Sequence, residues 1–164
     1  MKQTITNPMR LLRTAKIDFE PLYYSLTDEE FSGEAVSEKL GMPARICLKT
    51  ICTRGKSGAI YVFSIPSDTE LDLKLAAKAA GEKYIETVHV KELLSLTGYE
   101  RGAISPIGLK KNYPVFIDAS VKDDGMITVS AGAKGCSLRM TPDDLARAAR
   151  ASFAPVCTAH GNEL

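Results

Sequence analysis

The run Ile46-Cys47-Leu48-Lys49-Thr50-Ile51-Cys52 places a lysine inside an otherwise apolar stretch. Ile46 to Thr53 reads as a buried strand. The turn Gly55-Lys56-Ser57-Gly58 follows, and Ala59 to Ile65, rich in β-formers, returns. This pattern predicts a β-hairpin at the centre of the fold. The ammonium group constrains that hairpin strongly. Burying it uncompensated is costly, so Lys49 needs a carboxylate, carbonyls or an anionic ligand, or a path for its head to water.

The rest of the chain interleaves helices and strands irregularly. A helix is predicted from Asn7, with Pro8 in its first turn, to near Lys16. Ile17 to Ser25 is extended. A second helix runs from about Gly33 to Leu40 and stops at Gly41. Leu71 to Ala80 is a helix closed by Gly81, Tyr84 to Val88 a short strand, and Val90 to Leu96 a short helix ending at Gly98. Tyr99 to Lys111 is a loop punctuated by glycine and proline. Strands follow at Val115 to Ala119, Met126 to Ser130 and Ser137 to Met140. The last helix opens at Thr141-Pro142-Asp143-Asp144, a good N-cap, a first-turn proline and two carboxylates at the positive end of the helix dipole. The fold class expected is α/β (α+β), a mixed sheet or partly closed barrel surrounded by helices, not a doubly wound sheet.

The length of 164 residues predicts a single domain, 1–164. A formal net charge of +1 lacks the basic excess of a free-standing nucleic-acid binder, so any such affinity must come from a local patch or a partner. No apolar run approaches the roughly 20 residues that span a bilayer, and the N-terminus lacks a signal-peptide core. A cytoplasmic protein with reduced thiols is expected. Cys47, Cys52, Cys136 and Cys157 form no Cys-x-x-Cys pair, and His89 and His160 lie far apart, so no metal or other cofactor is expected.

Three segments could carry chemistry. Around Lys49, strand alternation puts Cys47, Lys49 and Ile51 on one face and Leu48, Thr50 and Cys52 on the other. The two cysteines then cannot readily chelate one ion. A thiolate at Cys47 activated by Lys49 is conceivable, but no histidine stands nearby in sequence to act as base. Gly102-Ala103-Ile104-Ser105-Pro106-Ile107-Gly108 could offer backbone N–H groups to an oxyanion or phosphate, or be a plain connection. Ser130-Ala131-Gly132-Ala133-Lys134-Gly135 is a small-residue turn after a strand, equally consistent with a tight hairpin. Lys110-Lys111, Arg54, Lys56, Lys134 and Arg139 could furnish a positive rim or simply be solvated charges.

Taken in order, Leu48-Lys49-Thr50, Leu71-Asp72-Leu73-Lys74, Leu96-Thr97-Gly98-Tyr99 and the loop Gly102 to Gly108 followed by Lys110-Lys111 resemble the YbaK/EbsC family of aminoacyl-tRNA deacylases. That family shares its fold with the editing domain of bacterial prolyl-tRNA synthetase. The resemblance implies trans-editing of mischarged tRNA, chiefly Cys-tRNA(Pro) and also Cys-tRNA(Cys), in association with tRNA and prolyl-tRNA synthetase. It implies catalytic roles for Lys49, Gly102 and Ser130 and a pocket role for Tyr24. Thr50, Ala103, Ile104 and Ser105 adjoin these positions and are assigned to substrate binding. It also implies that the substrate's own thiol attacks its ester carbonyl, so that the protein folds the substrate, stabilises the oxyanion and holds the terminal adenosine. Backbone N–H groups of Gly102–Ile104 are the expected oxyanion donors. The family often carries glycines where this chain has Ala103 and Ala131. Two other readings share the same residues: a deacylase for Ala- or Ser-tRNA, and a non-catalytic tRNA- or synthetase-binding module.

Overall fold

The computed structural model describes residues 5–27, 29–30 and 32–159. His160 therefore lies outside the described residues. The predicted hairpin is present as β2 (Leu48–Gly55) and β3 (Ile60–Pro66), antiparallel, with Lys49 opposite Ile65 and Thr50 opposite Ser64. It forms part of a mixed five-stranded sheet. β5 (Ile85–Thr87) pairs with the far end of β2. On the other side of β3, β6 (Val115–Asp118) and β9 (Ala151–Ala154) add in parallel.

A second sheet of three antiparallel strands has the order β1-β8-β7, from β1 (Glu20–Tyr23), β7 (Ile127–Ala133) and β8 (Cys136–Met140). β4 (Thr69–Leu71) and β10 (Cys157–Ala159) form a two-stranded ribbon. The sheet is mixed and helix-flanked as expected, but the three sheets do not close into a barrel.

The helices are α1 (Asn7–Thr14), α2 (Gly33–Leu40), α3 (Leu73–Ala80), α4 (Leu93–Thr97) and α5 (Pro142–Ala149). Each begins or ends where its local chemistry dictates. Thr141 Oγ1 accepts from Asp144 N at 3.1 Å to cap α5, and Asp72 caps α3 through Lys74 N and Leu75 N. Asp72 is thus the cap rather than part of the helix, and α3 starts two residues later than the sequence predicts. The expected helix at Val90 is split into a 3-10 turn, Val90–Glu92, and the short α4.

Packing follows from apolar alternation. One core lies between the three-stranded sheet, α1 and α5, around Met9, Leu12, Val129, Leu138 and Leu145. Another sits under α3, where Ala76 and Ala77 let the helix approach Phe63 and Ile65 closely, and Phe63 stacks on Phe116 at 5.3 Å between centroids. A third joins Cys52 and Val62 to Leu93, Tyr99 and Ile104. This last cluster fixes the glycine-punctuated loop against the hairpin.

The β7–β8 connection has a tight spot at Gly135. Its φ is +86°, and a Cβ there would come 2.8 Å from the Tyr24 carbonyl oxygen. The Gly135 carbonyl also accepts from Tyr24 N at 3.0 Å. Gly135→Ala should therefore cost about 1–3 kcal/mol from left-handed strain and the clash. At roughly 2–4 °C per kcal/mol for a chain of this size, thermal melting should show a drop of several degrees. An unchanged melting temperature would contradict this.

Candidate active site

Along one edge β2 pairs with β3 over its length. Along the other it pairs with β5 only at Thr53, Arg54 and Gly55. The Lys49–Cys52 stretch of that second edge borders a cavity of about 230 Å³ instead of a neighbouring strand. The start of α2, the end of β5, the loop at Arg101–Ile104 and the facing β7–β8 hairpin complete its walls.

Strand alternation puts Cys47 and Cys52 on opposite faces, and lining one cavity does not require them to share a face. Both border the cavity, because it runs along a strand edge, where both faces contribute, and because Cys47 precedes β2 at the end of a 3-10 turn. A parallel bridge from Cys47 to Thr128 ties this point to β7.

Of the residues singled out in the sequence, Lys49, Thr50, Gly102, Ile104, Ser130 and Tyr24 all border this cavity. Segments far apart in the chain are therefore brought together. Lys49 is 28% exposed and its Nζ lies 3.9 Å from Glu70 Oε2. Glu70 is itself 68% exposed, so this loose pair does not sequester the ammonium. Lys49 is also among the residues that line the cavity.

Thr50 Oγ1 and Ser64 Oγ are 2.9 Å apart, which orients the threonine across the hairpin. Tyr24 Oη lies 2.8 Å from Ser137 Oγ, and burial pushes the phenol up from its ordinary pKa. Tyr24 thus stays a protonated hydrogen-bonding group at neutral pH. Ser130 Oγ accepts from Gly132 N at 3.1 Å, so it pins the turn while its own hydroxyl proton remains able to donate.

Two assigned residues lie elsewhere. Ser105 is fully buried, with Oγ accepting from Ile107 N at 3.2 Å, and shapes the loop rather than touching the cavity. Ala103 is buried and borders a separate depression on the other side of the loop. Its N–H donates to the Glu100 carbonyl at 2.9 Å and so is not free for an oxyanion. Among the described residues, no partner is found for the N–H of Gly102 or Ile104, the two donors that remain of the three expected.

A stretch from residue 27 to residue 148 matches the family of aminoacyl-tRNA editing domains. The chain belongs to that family. Over 156 residues, 95% of each chain, this editing domain is 35% identical to an Enterococcus faecalis protein named as a Cys-tRNA(Pro)/Cys-tRNA(Cys) deacylase, EbsC. It is 28% identical over 100 residues to a proline–tRNA ligase of Bacillus licheniformis, spanning 61% of this chain and 17% of that one. A crystal structure described as a trans-editing enzyme for prolyl-tRNA synthetase has the same fold, with a TM-score of 0.77 and 19% identity, covering 95% of this chain and 100% of the other.

The editing domain's cavity also uses residues that the sequence did not single out. Ser137 stands opposite Ser130 in the β7–β8 register and supports Tyr24. Thr128 and Arg101 line the wall, and Ser32 and Gly33 bring in the start of α2. Hairpin register could have pointed to Ser137, since a turn centred on residues 132–135 sets it across from Ser130. Arg101 carries no such signal.

None of the described residues lining this cavity is Asp, Glu or His. No group of three potential metal ligands occurs among the described residues. Burial raises the Cys47 thiol pKa and pushes Cys52 up to about 11. A shift from 9 to about 11 cuts the thiolate fraction at neutral pH about 100-fold. Cys47 and Cys52 are therefore poor nucleophiles, and a Cys47→Ser/Cys52→Ser double variant should retain most of its deacylation rate. A folded double variant with no activity would refute this.

Proposed function

We propose that this editing domain deacylates mischarged tRNA in trans, with Cys-tRNA(Pro) as its principal substrate and Cys-tRNA(Cys) as a second. The observation that carries the reading is a cavity lined by a lysine and a glycine loop, but with no carboxylate or imidazole among its described lining residues and with the Cys52 thiol held neutral by burial. Such a site is poorly equipped to activate water. It is suited to a substrate that brings its own nucleophile.

The cysteine thiol sulfur attacks its own ester carbonyl. The ester C–O bond then breaks, the ribose oxygen takes up the thiol proton, and a cyclic thiolactone leaves. The N–H groups of Gly102 and Ile104 receive the developing oxyanion. Gly102 has φ +83°, a conformation a side chain would strain, which supports a role for its backbone. Lys49 anchors the ribose or phosphate of the terminal adenosine, exchanging the exposed Glu70 carboxylate for the ligand. Tyr24, Thr50 and Ser130 orient the aminoacyl group. The near-neutral net charge supports delivery of substrate with help from prolyl-tRNA synthetase. In this reading a single domain, residues 1–164, acts in the cytoplasm.

The test is deacylation of a panel of Cys-, Ala- and Ser-charged tRNAs by the purified protein. Cys-tRNA(Pro) should lose its ester fastest. A protein that binds these tRNAs but cleaves none is a binding module, and preference for Ala- or Ser-tRNA would point to water activation instead.

A further inference from the structure

On the far side of the Arg101–Ala103 loop lies a second, larger depression of about 780 Å³. It runs from the Val90–Glu92 turn and α4, past the loop, to the β7–β8 turn. It shares Leu93 and Arg101 with the cavity already described, so the two lie on either side of the same wall. Its rim carries Lys91, Arg101 and Lys134 against one carboxylate, Glu100. Its floor includes Val90 and Leu94, which are 53% and 55% exposed. Exposed aliphatic side chains of this size, adjacent in space and ringed by cations, suit a ligand with flat apolar faces and a polyanionic backbone.

We propose that this groove receives the single-stranded nucleotides that precede the terminal adenosine of the tRNA. Phosphates meet the Lys91 and Lys134 ammonium groups, and base faces lie over Val90 and Leu94. Adjacency to the cavity supports this occupant, since a strand whose last nucleotide sits in the cavity reaches the groove by crossing the shared wall at Leu93 and Arg101. Charge complementarity supports it as well. The Lys134 ammonium is held by the Thr27 carbonyl at 2.6 Å and exchanges that partner for a phosphate when the strand binds. The inference rests on the deacylase reading and extends it from the reacting end to the acceptor strand.

The test compares two substrates in Lys91→Glu and Leu94→Asp variants. One is full-length Cys-tRNA(Pro); the other is the 3′-cysteinyl ester of adenosine monophosphate, which cannot reach the groove. With tRNA, KM should rise about tenfold while kcat changes little, and the log–log salt slope should flatten by about 0.7 for each phosphate that is no longer neutralised. The adenosine ester should be cleaved at the wild-type rate, which also shows the variants are folded. Equal impairment on both substrates, or impairment on neither, would overturn the groove assignment. Binding of an uncharged ACCA oligonucleotide, followed by fluorescence anisotropy, separates the two levels. If the wild type cleaves neither ester, the deacylase reading fails, and oligonucleotide binding that weakens in the variants still supports the groove. Unchanged oligonucleotide binding together with abolished stimulation by prolyl-tRNA synthetase would assign the surface to a protein and refute the proposal.

Discussion

Lys49→Ala should lower kcat/KM for Cys-tRNA(Pro) by about 100–1,000-fold, the usual cost of removing one well-placed electrostatic contact to a reacting substrate. The fold should survive. Lys49 is 28% exposed, and its partner across 3.9 Å is a largely exposed carboxylate. Exposed pairs of this kind contribute about 0–1 kcal/mol, so the melting temperature should barely move. A large drop in activity without a drop in stability is the signature of a residue kept for its ligand. Lys49→Arg separates charge from shape. It preserves the cation but replaces a compact ammonium with a broad planar group, and it should recover part of the activity. Wild-type turnover by folded Lys49→Ala would remove the lysine from the mechanism.

Ala-tRNA(Pro) should be deacylated at least about 1,000-fold more slowly than Cys-tRNA(Pro). Intramolecular attack by a well-oriented nucleophile reaches effective molarities on the order of 10⁵–10⁸ M. Replacing the thiol with hydrogen forfeits that advantage and leaves only water. The described residues lining the cavity include no carboxylate or imidazole to activate it, and the Cys52 thiol is held neutral by burial. Size discrimination alone is far weaker, since small apolar differences between substrates are worth only about 1–3 kcal/mol. Comparable rates for the two tRNAs would mean that a water-activating group has gone unrecognised.

Local chemistry made much of this fold readable. Pro8, Gly41 and the Thr141-Pro142 pair mark helix ends that the structure reproduces, because caps and turns depend on neighbouring residues only. The lysine in the apolar run pointed to the cavity, because a cation in such a strand needs a reason to be there. Strands β4, β9 and β10 were not legible. Each is three or four residues long and exists through distant pairing, β9 on β6 and β10 on β4. The edge position of the cavity was equally hidden, since it depends on where β5 stops pairing with β2. That one feature explains why two cysteines on opposite faces by alternation both line one cavity. The loop is a separate case: Ala103 and Ser105 face away from the cavity although Gly102 and Ile104 border it, an arrangement set by the loop's own packing against the hairpin.

Mass spectrometry of the small molecule released from Cys-tRNA(Pro), quenched within a single turnover, tests the central claim most directly. Substrate-supplied attack predicts cysteine thiolactone as the first product, with free cysteine appearing only as the thiolactone hydrolyses. Free cysteine released at once, with no thiolactone at the earliest times, would contradict it.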